Sequence, residues 1–298
     1  MAGLDVTDAA FQSDGSLSCE TVSGIVMNLL SRASAIRVEV VPRKNANLMY
    51  RVSIPNVFFR PGAAGSTAKL FVKYFKTPEE NEARNLEVVC TSGLARLPFG
   101  NKSFPVITLA ERHFSYMFQG SLRCLSVLHA AKGKSVHEHL LDFLVCGSDG
   151  KKKELVQRAF LQTGTAMAMI HHRFAVNPTA EIRSIRTYVH GDLHSENVFY
   201  DPAQDRIYFI DNEFFAESIR TPTHFAPDIL SFVGWVSSLE RPGNQELFAA
   251  FYREFVQGYA FVGFKEVQDY VSELVCDARK NNPYARFLPP NESVKSSK

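Results

Sequence analysis

The spacing of hydrophobic residues changes along the chain and predicts two kinds of structure. Over residues 36–41, 48–54, 68–75, 104–110 and 122–128 the apolar residues form strand-like runs, some of them alternating at every second position. Between the third and fourth runs, Thr77-Pro78-Glu79-Glu80 favours a helix start, and this helix is expected to continue to about residue 91. The region 36–128 therefore predicts a small antiparallel sheet with one helix.

After residue 131 the hydrophobic spacing is mostly that of helices. Helices are predicted at 136–144, 152–174, 227–239, 245–259 and 265–279, with short strand-like runs within 188–200 and at 206–211. Together with a helix at 21–33, this order predicts an α+β fold with two lobes and a ligand cleft between them. We expect a flexible arm at 1–24, an N-lobe at 25–131, a helical C-lobe at 132–280 and a mobile tail at 281–298.

Composition excludes several classes of protein. The 298 residues include 33 Lys+Arg and 31 Asp+Glu, and a net charge of +2 gives no basic surface for nucleic acid. The apolar runs are far shorter than the roughly 20 residues that cross a bilayer, and residues 1–18 do not have the pattern of a secretory signal. The five cysteines are scattered, which predicts reduced thiols in a cytoplasmic compartment and no zinc or disulfide framework.

The chemistry of the chain is concentrated in two neighbouring segments. Residues 189–200 read VHGDLHSENVFY, and residues 207–213 read IYFIDNE. The apolar positions frame Asp192, Asn197 and Asp211, so the fold can bring these three side chains to one end of a sheet. Carboxylate and amide oxygens suit Mg²⁺, which keeps water and phosphate oxygens in its coordination shell. If Asp192 does not bind the metal, it can take the proton of an attacking hydroxyl.

The sequence HGDLHSEN at 190–197, followed by IDNE at 210–213, resembles the H-G-D-x-x-x-x-N…I-D-x-E pattern of the aminoglycoside phosphotransferase and choline kinase group. The resemblance implies a bilobal protein-kinase-like fold and an ATP- and Mg²⁺-dependent phosphotransferase. It also implies that Asp192 is the catalytic base and that His190 braces the loop. Asn197 and Asp211 would then hold Mg²⁺, with the Asp-to-Asn spacing that kinase catalytic loops share.

Three further residues near the motif relate to the same resemblance. Glu213 matches the trailing acid of the family, with a supporting role. Asn212 departs from the family, which often has an aromatic residue there, and the departure concerns packing more than chemistry. Asp228, in APDIL, resembles the acid that ties the following helix to the catalytic loop, and its alternative role is a helix N-cap.

A phosphoryl-transfer site also needs a cation for the nucleotide phosphates and an acid that holds this cation. Lys73, in the strand LFVK, resembles the third-strand lysine of the family, and Glu82 matches its helix glutamate. Solvated surface charges are the alternative for both residues. The competing candidates in the sequence are Lys69 and Lys76 for the lysine, and Glu79, Glu80 and Glu87 for the acid.

The remaining nucleotide contacts rest on position alone. The strand at 124–128 leads into residues 129–134 as a kinase hinge does, so Leu128, His129 and Ala131 are expected to contact adenine, with an edge strand and loop as the alternative. Neither G-x-G-x-x-G nor G-x-x-x-x-G-K-[ST] occurs in the chain. The family often has a Ser/Asn-containing phosphate loop instead, and Asn47, within 45–47, fits that role.

Four histidines near the motif, His171, His172, His190 and His194, raise the question of zinc. Because His171 and His172 are adjacent, their side chains on a helix point about 100° apart, which disfavours a shared zinc site. We therefore expect neutral histidines that form hydrogen bonds.

The acceptor of the phosphoryl group is not fixed by the sequence. Seventeen positions separate Asp211 from Asp228, and no Ala-Pro-Glu motif marks a peptide-binding activation segment. This favours a small molecule with a hydroxyl group as the acceptor. The alternatives are a compact protein or lipid kinase of the effector type, since little length is left for a substrate subdomain, and a catalytically silent scaffold that binds a protein partner.

Overall fold

The computed structural model describes residues 2–3, 11–13, 15–30, 37–41, 49–55, 67–75, 85, 97–99, 102–104, 110–146, 149–211, 223–262 and 266–281. The chain forms two compact units, residues 1–131 with 212–216, and residues 132–211 with 217–298. The first unit contains a large sheet, and the second contains most of the described helices. The α+β class predicted from the sequence is therefore confirmed.

Eight strands are described in the first unit. They are β1 (Ala2–Gly3), β2 (Arg37–Val41), β3 (Met49–Pro55), β4 (Thr67–Phe75), β5 (Leu97–Phe99), β6 (Lys102–Phe104), β7 (Ala110–Phe118) and β8 (Ser121–His129). Six of them form one sheet in the order β1-β7-β8-β4-β3-β2. Within this sheet β1 runs parallel to β7, and the other neighbours are antiparallel. Strands β5 and β6 pair with each other.

The two faces of this sheet differ in chemistry. Alternate side chains of β3, β4, β7 and β8 form a hydrophobic core on one face, consisting of Tyr50, Val52, Ile54, Leu70, Val72, Tyr74, Phe114, Tyr116, Leu125 and Val127. Because successive side chains on a strand point to opposite faces, Lys73 points to the other face. In the register of the sheet, Lys73 lies between Met49 on β3 and Ser126 on β8.

The N-terminal segment packs against the apolar face of the sheet. Helix α1 (Cys19–Leu30) buries Val22 and Val26 there, and Leu17 is buried just before it. The hydroxyl of Tyr50 donates a hydrogen bond of 2.5 Å to the carbonyl of Leu17. The flexible arm predicted at 1–24 is therefore wrong for the described residues 15–24, because a few apolar residues in a polar segment suffice when the sheet buries each of them.

Most of the described residues of the second unit are helical. Its elements are β9 (Lys134–Ser135), α2 (Val136–Cys146), α3 (Gly150–Arg173), β10 (Arg186–Thr187), β11 (Val198–Asp201), β12 (Arg206–Phe209), β13 (Thr223–His224), α4 (Ala226–Ser237), α5 (Gln245–Val262) and α6 (Val267–Lys280). All five helices were predicted, with every end within three residues of its expected place. Strand β11 lies between β12 and β9, and β10 pairs with β13. None of the described helices combines the length and apolarity that crossing a membrane requires.

Helices α3 and α5 form the centre of the second unit. A Cβ atom at Gly164 on α3 would lie 2.1 Å from the carbonyl oxygen of Phe255, and one at Gly258 on α5 would lie 2.0 Å from that of Leu161. Only glycine allows two backbones to approach this closely. On α4, the ring of Phe232 stacks on Phe255 with centroids 5.3 Å apart. This close packing fixes α3, whose last turn reaches the candidate site.

The strand predicted at 104–110 falls mostly outside the described residues. Its first residue, Phe104, ends β6, its last, Ala110, begins β7, and residues 105–109 are not described. Within β7, Phe114 and Tyr116 supply the buried positions. The helix predicted at 77–91 also lies outside the described residues, except for Asn85, which is helical.

Candidate active site

The loop 190–197 is held at its first two residues by a buried carboxylate. The backbone N–H groups of His190 and Gly191 donate to the two carboxylate oxygens of Asp228, at 2.7 and 2.9 Å. Asp228 lies in the first turn of α4 and is 2% exposed. Phe225 occupies the N-cap of this helix, so the N-cap alternative for Asp228 is wrong. Gly191 has a φ of +85°, a left-handed conformation that favours glycine at this turn.

The middle of the loop folds back on itself through the carbonyl of Asp192. This oxygen accepts hydrogen bonds from the His194 backbone N–H at 3.1 Å and from Nδ2 of Asn197 at 3.0 Å. The Asn197 N–H in turn donates to the carbonyl of His194 at 2.9 Å. Because the backbone of Asp192 is engaged in these bonds, its side chain projects outward and remains 41% exposed.

His190 links the loop to the residue before Asp211. Its ring is 1% exposed, and Nε2 lies 2.9 Å from the carbonyl oxygen of Ile210. A carbonyl oxygen can only accept, so Nε2 carries the hydrogen. Burial lowers the pKa of His190, which keeps the ring neutral near neutral pH. This contact joins the loop 190–197 to the residue that follows β12, and the bracing role of His190 stays a prediction.

Asn197 and Asp211 meet at one end of a hairpin. Strands β11 and β12 pair from Val198 with Phe209 onward, and the N–H of Ile210 donates to the carbonyl of Asn197 at 2.9 Å. Asp211 follows directly, so the register of the hairpin brings both residues to its open end. Asp211 has a φ of +63°, in the left-handed region that few residues other than glycine adopt. The left-handed backbone at Asp211 thus differs from the extended conformation of the strand β12 before it.

The donor atoms at this hairpin end fit a magnesium ion. Nδ2 of Asn197 is turned to the Asp192 carbonyl, which leaves Oδ1 of Asn197 as the acceptor available to a ligand. Asn197 is 6% exposed, and its oxygen accepts no hydrogen bond from any described residue. One amide oxygen and one carboxylate form the small, hard ligand set from which Mg²⁺ is held, with water and phosphate oxygens completing its coordination. A zinc site is not found, since no suitable group of three His, Cys, Asp or Glu side chains occurs in the described ranges.

Asp228 is itself held by two residues that the sequence did not single out for this role. Nε2 of His171 lies 3.1 Å from Asp228 Oδ2, and Nδ1 of His171 lies 2.7 Å from the hydroxyl of Tyr259. The carboxylate accepts, so Nε2 carries the hydrogen and Nδ1 accepts from the tyrosine. The Thr187 hydroxyl donates to the backbone carbonyl of His171 at 2.7 Å. These contacts form a buried network that joins α3, α4 and α5 to the loop.

Opposing effects set the protonation of Asp228. Burial by itself raises the pKa of its carboxyl, but the hydrogen bonds from His171 and from the His190 backbone, with the electrostatic interaction of both residues, outweigh burial, and the pKa lies below its usual range. Burial also raises the pKa of Tyr259 well above its ordinary value, so its hydroxyl stays a donor. In this network the Asp228 carboxylate accepts hydrogen bonds from His190, Gly191 and His171. The Tyr259 hydroxyl donates to His171.

Lys73 is a predicted site residue of the first unit. It is 7% exposed, on β4, in the middle of the large sheet. Lysine is rarely buried to this degree, because the ammonium group loses its hydration. The burial therefore disfavours the alternative that Lys73 is a solvated surface charge.

The predicted adenine contacts lie where β8 ends. Leu128 is 7% exposed near the end of β8, and Ala131 is half-buried, two residues beyond the last residue of the strand, His129. Ala130, which follows the last residue of β8, is half-buried as well.

Several predicted site residues lie outside the described part of the chain. They are Asn47, Glu82 and Glu213, together with the side chain of His129. The competing acids Glu79, Glu80 and Glu87, the side chain of Lys69 and the whole of Lys76 fall in the same category. Their roles stay predictions from the sequence.

The comparisons with known proteins found likenesses among solved structures. No family model and no curated protein matches the chain. Matched solved structures include WaaP in complex with acyl carrier protein, at 12% identity over 85% of this chain and 90% of that chain, with a TM-score of 0.43. An aminoglycoside-3′-phosphotransferase of type VIII matches at 15% identity, covering 86% of this chain and 98% of that chain, with a TM-score of 0.42. The Mycobacterium tuberculosis PknI kinase domain matches at 14% identity, covering 84% and 97%, with a TM-score of 0.44.

At identities of 12–15% and TM-scores of 0.42–0.44, these likenesses assign neither a fold family nor an activity to the chain. The protein-kinase-like fold stays a prediction from the sequence, and the described elements establish its α+β class.

Proposed function

We propose that this chain is an ATP- and Mg²⁺-dependent phosphotransferase that moves the γ-phosphoryl group to a hydroxyl of a small molecule. The observation that carries the proposal is the construction of the loop 190–197. Its backbone is fixed by the buried Asp228, while the Asp192 carboxylate stays open to a substrate. A fixed loop that presents one exposed carboxylate supports a role in binding and orienting a hydroxyl group.

In the proposed reaction Asp192 accepts a hydrogen bond from the acceptor hydroxyl and takes its proton as the new O–P bond forms. The bond between the γ-phosphorus and the β–γ bridging oxygen of ATP breaks, and ADP leaves with that oxygen. Asn197 and Asp211 hold Mg²⁺, which neutralises charge on the phosphates when it is bound. His190 keeps the residue before Asp211 in place through the carbonyl of Ile210. Most of the rate acceleration then comes from positioning and charge neutralisation, as in phosphoryl transfer generally.

The nucleotide contacts are proposed on the sequence and on the burial of one residue. Lys73 contacts the α- and β-phosphates and is held by Glu82, and the burial of Lys73 on a central strand supports this role. Asn47 contributes to the phosphate loop. Backbone groups at Leu128, His129 and Ala131 bind the adenine edge.

The test is a transfer assay with ATP labelled on its γ-phosphate. The acceptor arms are sugars, amino alcohols, phosphoinositides and a protein extract, each with and without Mg²⁺. We expect label on a small-molecule hydroxyl with the wild type, and a loss of at least about 100-fold in Asp211→Asn and Lys73→Met. Asp142→Asn is the matched control, since Asp142 is an exposed carboxylate of the second unit that pairs with Lys134.

The outcomes separate the alternatives. Label on protein or on phosphoinositide alone contradicts the small-molecule acceptor and favours the protein or lipid kinase. A wild type that binds Mg-ATP, seen as a thermal shift, but transfers no label to any acceptor or to water contradicts the enzyme and favours a silent scaffold. Transfer that persists in EDTA contradicts the magnesium requirement.

A further inference from the structure

The imidazole of His194, in the middle of the loop 190–197, lies between the candidate base and an aromatic side chain of α4. Its Nε2 lies 3.8 Å from Oδ2 of Asp192. The ring packs on the indole of Trp235, with centroids 4.7 Å apart and an interplanar angle of 30°. The His194 side chain is 17% exposed, whereas that of Asp192 is 41% exposed. The His194 side chain is therefore the more buried of the two, and the Asp192 carboxylate is the more exposed.

Trp235 and Asp228 lie seven residues apart on α4, two helical turns, so both face the loop. Asp228 holds the backbone at residues 190 and 191, and Trp235 contacts the ring at residue 194. One helix thus contacts the loop on both sides of Asp192. The first contact fixes the backbone of the loop, and the second fixes a side chain that reaches the carboxylate.

The hydrogen on the imidazole is placed by its surroundings. Nδ1 of His194 is buried and has no hydrogen-bond partner among the described residues. Nε2 faces a carboxylate oxygen, which can only accept. The surroundings therefore place a hydrogen on Nε2, directed at Asp192. At 3.8 Å this contact is longer than a hydrogen bond, and contacts of this kind often shorten when substrate binds.

We propose that His194, held in place by Trp235, is a positioning residue for Asp192. The inference rests on the proposed phosphotransferase function. The N–H of His194 restrains one carboxylate oxygen, so that the other oxygen is presented to the acceptor hydroxyl. Trp235 acts through His194 and touches neither substrate nor nucleotide in this role.

The kinetic test compares two substitutions of the same residue. His194→Phe keeps a ring against Trp235 and removes both nitrogens, and we expect kcat to fall about 10- to 100-fold. The KM for ATP should stay within about twofold, because the nucleotide contacts are untouched. His194→Gln restores an N–H at similar reach and should recover kcat to within about threefold of the wild type. His172→Phe, an exposed histidine on α3, is the matched control and should leave kcat unchanged.

Two measurements keep the test decisive if a variant is unstable. In a double-mutant cycle, Trp235→Ala should lower kcat in the wild type and have little further effect in His194→Phe, since it acts through His194. Trp235 is the single tryptophan of the chain. Its fluorescence emission should shift to longer wavelength in His194→Ala, with faster quenching by acrylamide, because the stacked ring is lost.

Each result either supports or overturns the proposal. Wild-type kcat in His194→Phe, or an equal loss in His194→Phe and His194→Gln, overturns the positioning role while the phosphotransferase stands. Unchanged tryptophan emission in His194→Ala overturns the stacked arrangement. A wild type that transfers no phosphate, with the stack intact by fluorescence, refutes the proposed function and the positioning role with it.

Discussion

The buried and the exposed sides of the loop 190–197 each depend on an aspartate, and the two aspartates have opposite surroundings. Asp228, on the buried side, is 2% exposed and accepts hydrogen bonds from His190, Gly191 and His171. The side chain of Asp192 is 41% exposed and accepts no hydrogen bond from the described residues. The Asp228 carboxylate accepts its hydrogen bonds from the protein itself, so its role is structural. The backbone of Asp192 is fixed while its carboxylate stays exposed, so this carboxylate is able to contact a substrate.

The largest expected effect separates these roles in kinetics. Asp192→Asn should lower kcat about 10³-fold or more, because the amide cannot accept the proton of the hydroxyl, while the melting temperature stays near that of the wild type. The measurement is the labelled-ATP assay together with thermal unfolding. Glu196→Gln is the matched control, since Glu196 is an exposed carboxylate of the same loop, and it should keep its activity. Equal losses in both variants would contradict a specific role for Asp192.

The second effect is on stability. Asp228→Ala leaves two backbone N–H groups and the His171 ring without their acceptor, so the free energy of unfolding should fall by about 3–5 kcal/mol. Urea unfolding measures the change, and phosphate transfer should be lost with it because the loop is released. Asp142→Ala, which removes an exposed ion pair with Lys134, should leave the free energy of unfolding nearly unchanged. A stable Asp228→Ala would show that the loop does not depend on this carboxylate.

A smaller effect is expected one residue further from the loop. Tyr259→Phe removes the donor to Nδ1 of His171 and should lower the free energy of unfolding by about 1–2 kcal/mol. Tyr270→Phe is the control, because the hydroxyl of Tyr270 has no hydrogen bond to a described residue. If the two variants unfold at the same urea concentration, the buried network ends at His171.

The smallest effect is the dependence of stability on pH. Burial lowers the pKa of His137, His139, His190 and His224, so the unfolded chain binds protons more readily than the folded one. Stability should therefore be constant above about pH 6.5 and decline as the pH falls below it. The lowered pKa of Asp228 adds a second decline below about pH 4, which Asp228→Asn should remove. Urea unfolding across this range checks both, and a single decline confined to the lower range would contradict the histidine contribution.

Most of the fold could be predicted because its segments have regular periodicity. Helices α3, α4 and α5 have helical hydrophobic spacing, and β3, β4 and β8 follow strand-like apolar patterns, so the local pattern and the observed elements agree. Prediction failed where burial came from a distant surface. Leu17 and Val22 lie in a polar segment that has no core of its own and becomes ordered on the sheet.

The candidate site was predictable to the same extent. Asp192, Asn197 and Asp211 lie within 20 residues of one another and follow a recognisable spacing, so their meeting at one loop and hairpin end was foreseeable. The contacts of His171 with Asp228 and Tyr259, and of His194 with Trp235, were not foreseeable, since 41 to 88 residues separate the partners and no motif connects them.

The sequence by itself determined the kinds of element and the identity of the polar residues around the loop, because periodicity and spacing are local properties. Tertiary structure decided which of these polar side chains form hydrogen bonds within the protein and which stay exposed. Asp192 and Asp228 carry the same functional group, and only the packing of α4 against the loop and against α3 gives one of them three donors and leaves the other exposed. Burial and hydrogen bonding depend on neighbours brought together by folding, and no local pattern contains that information.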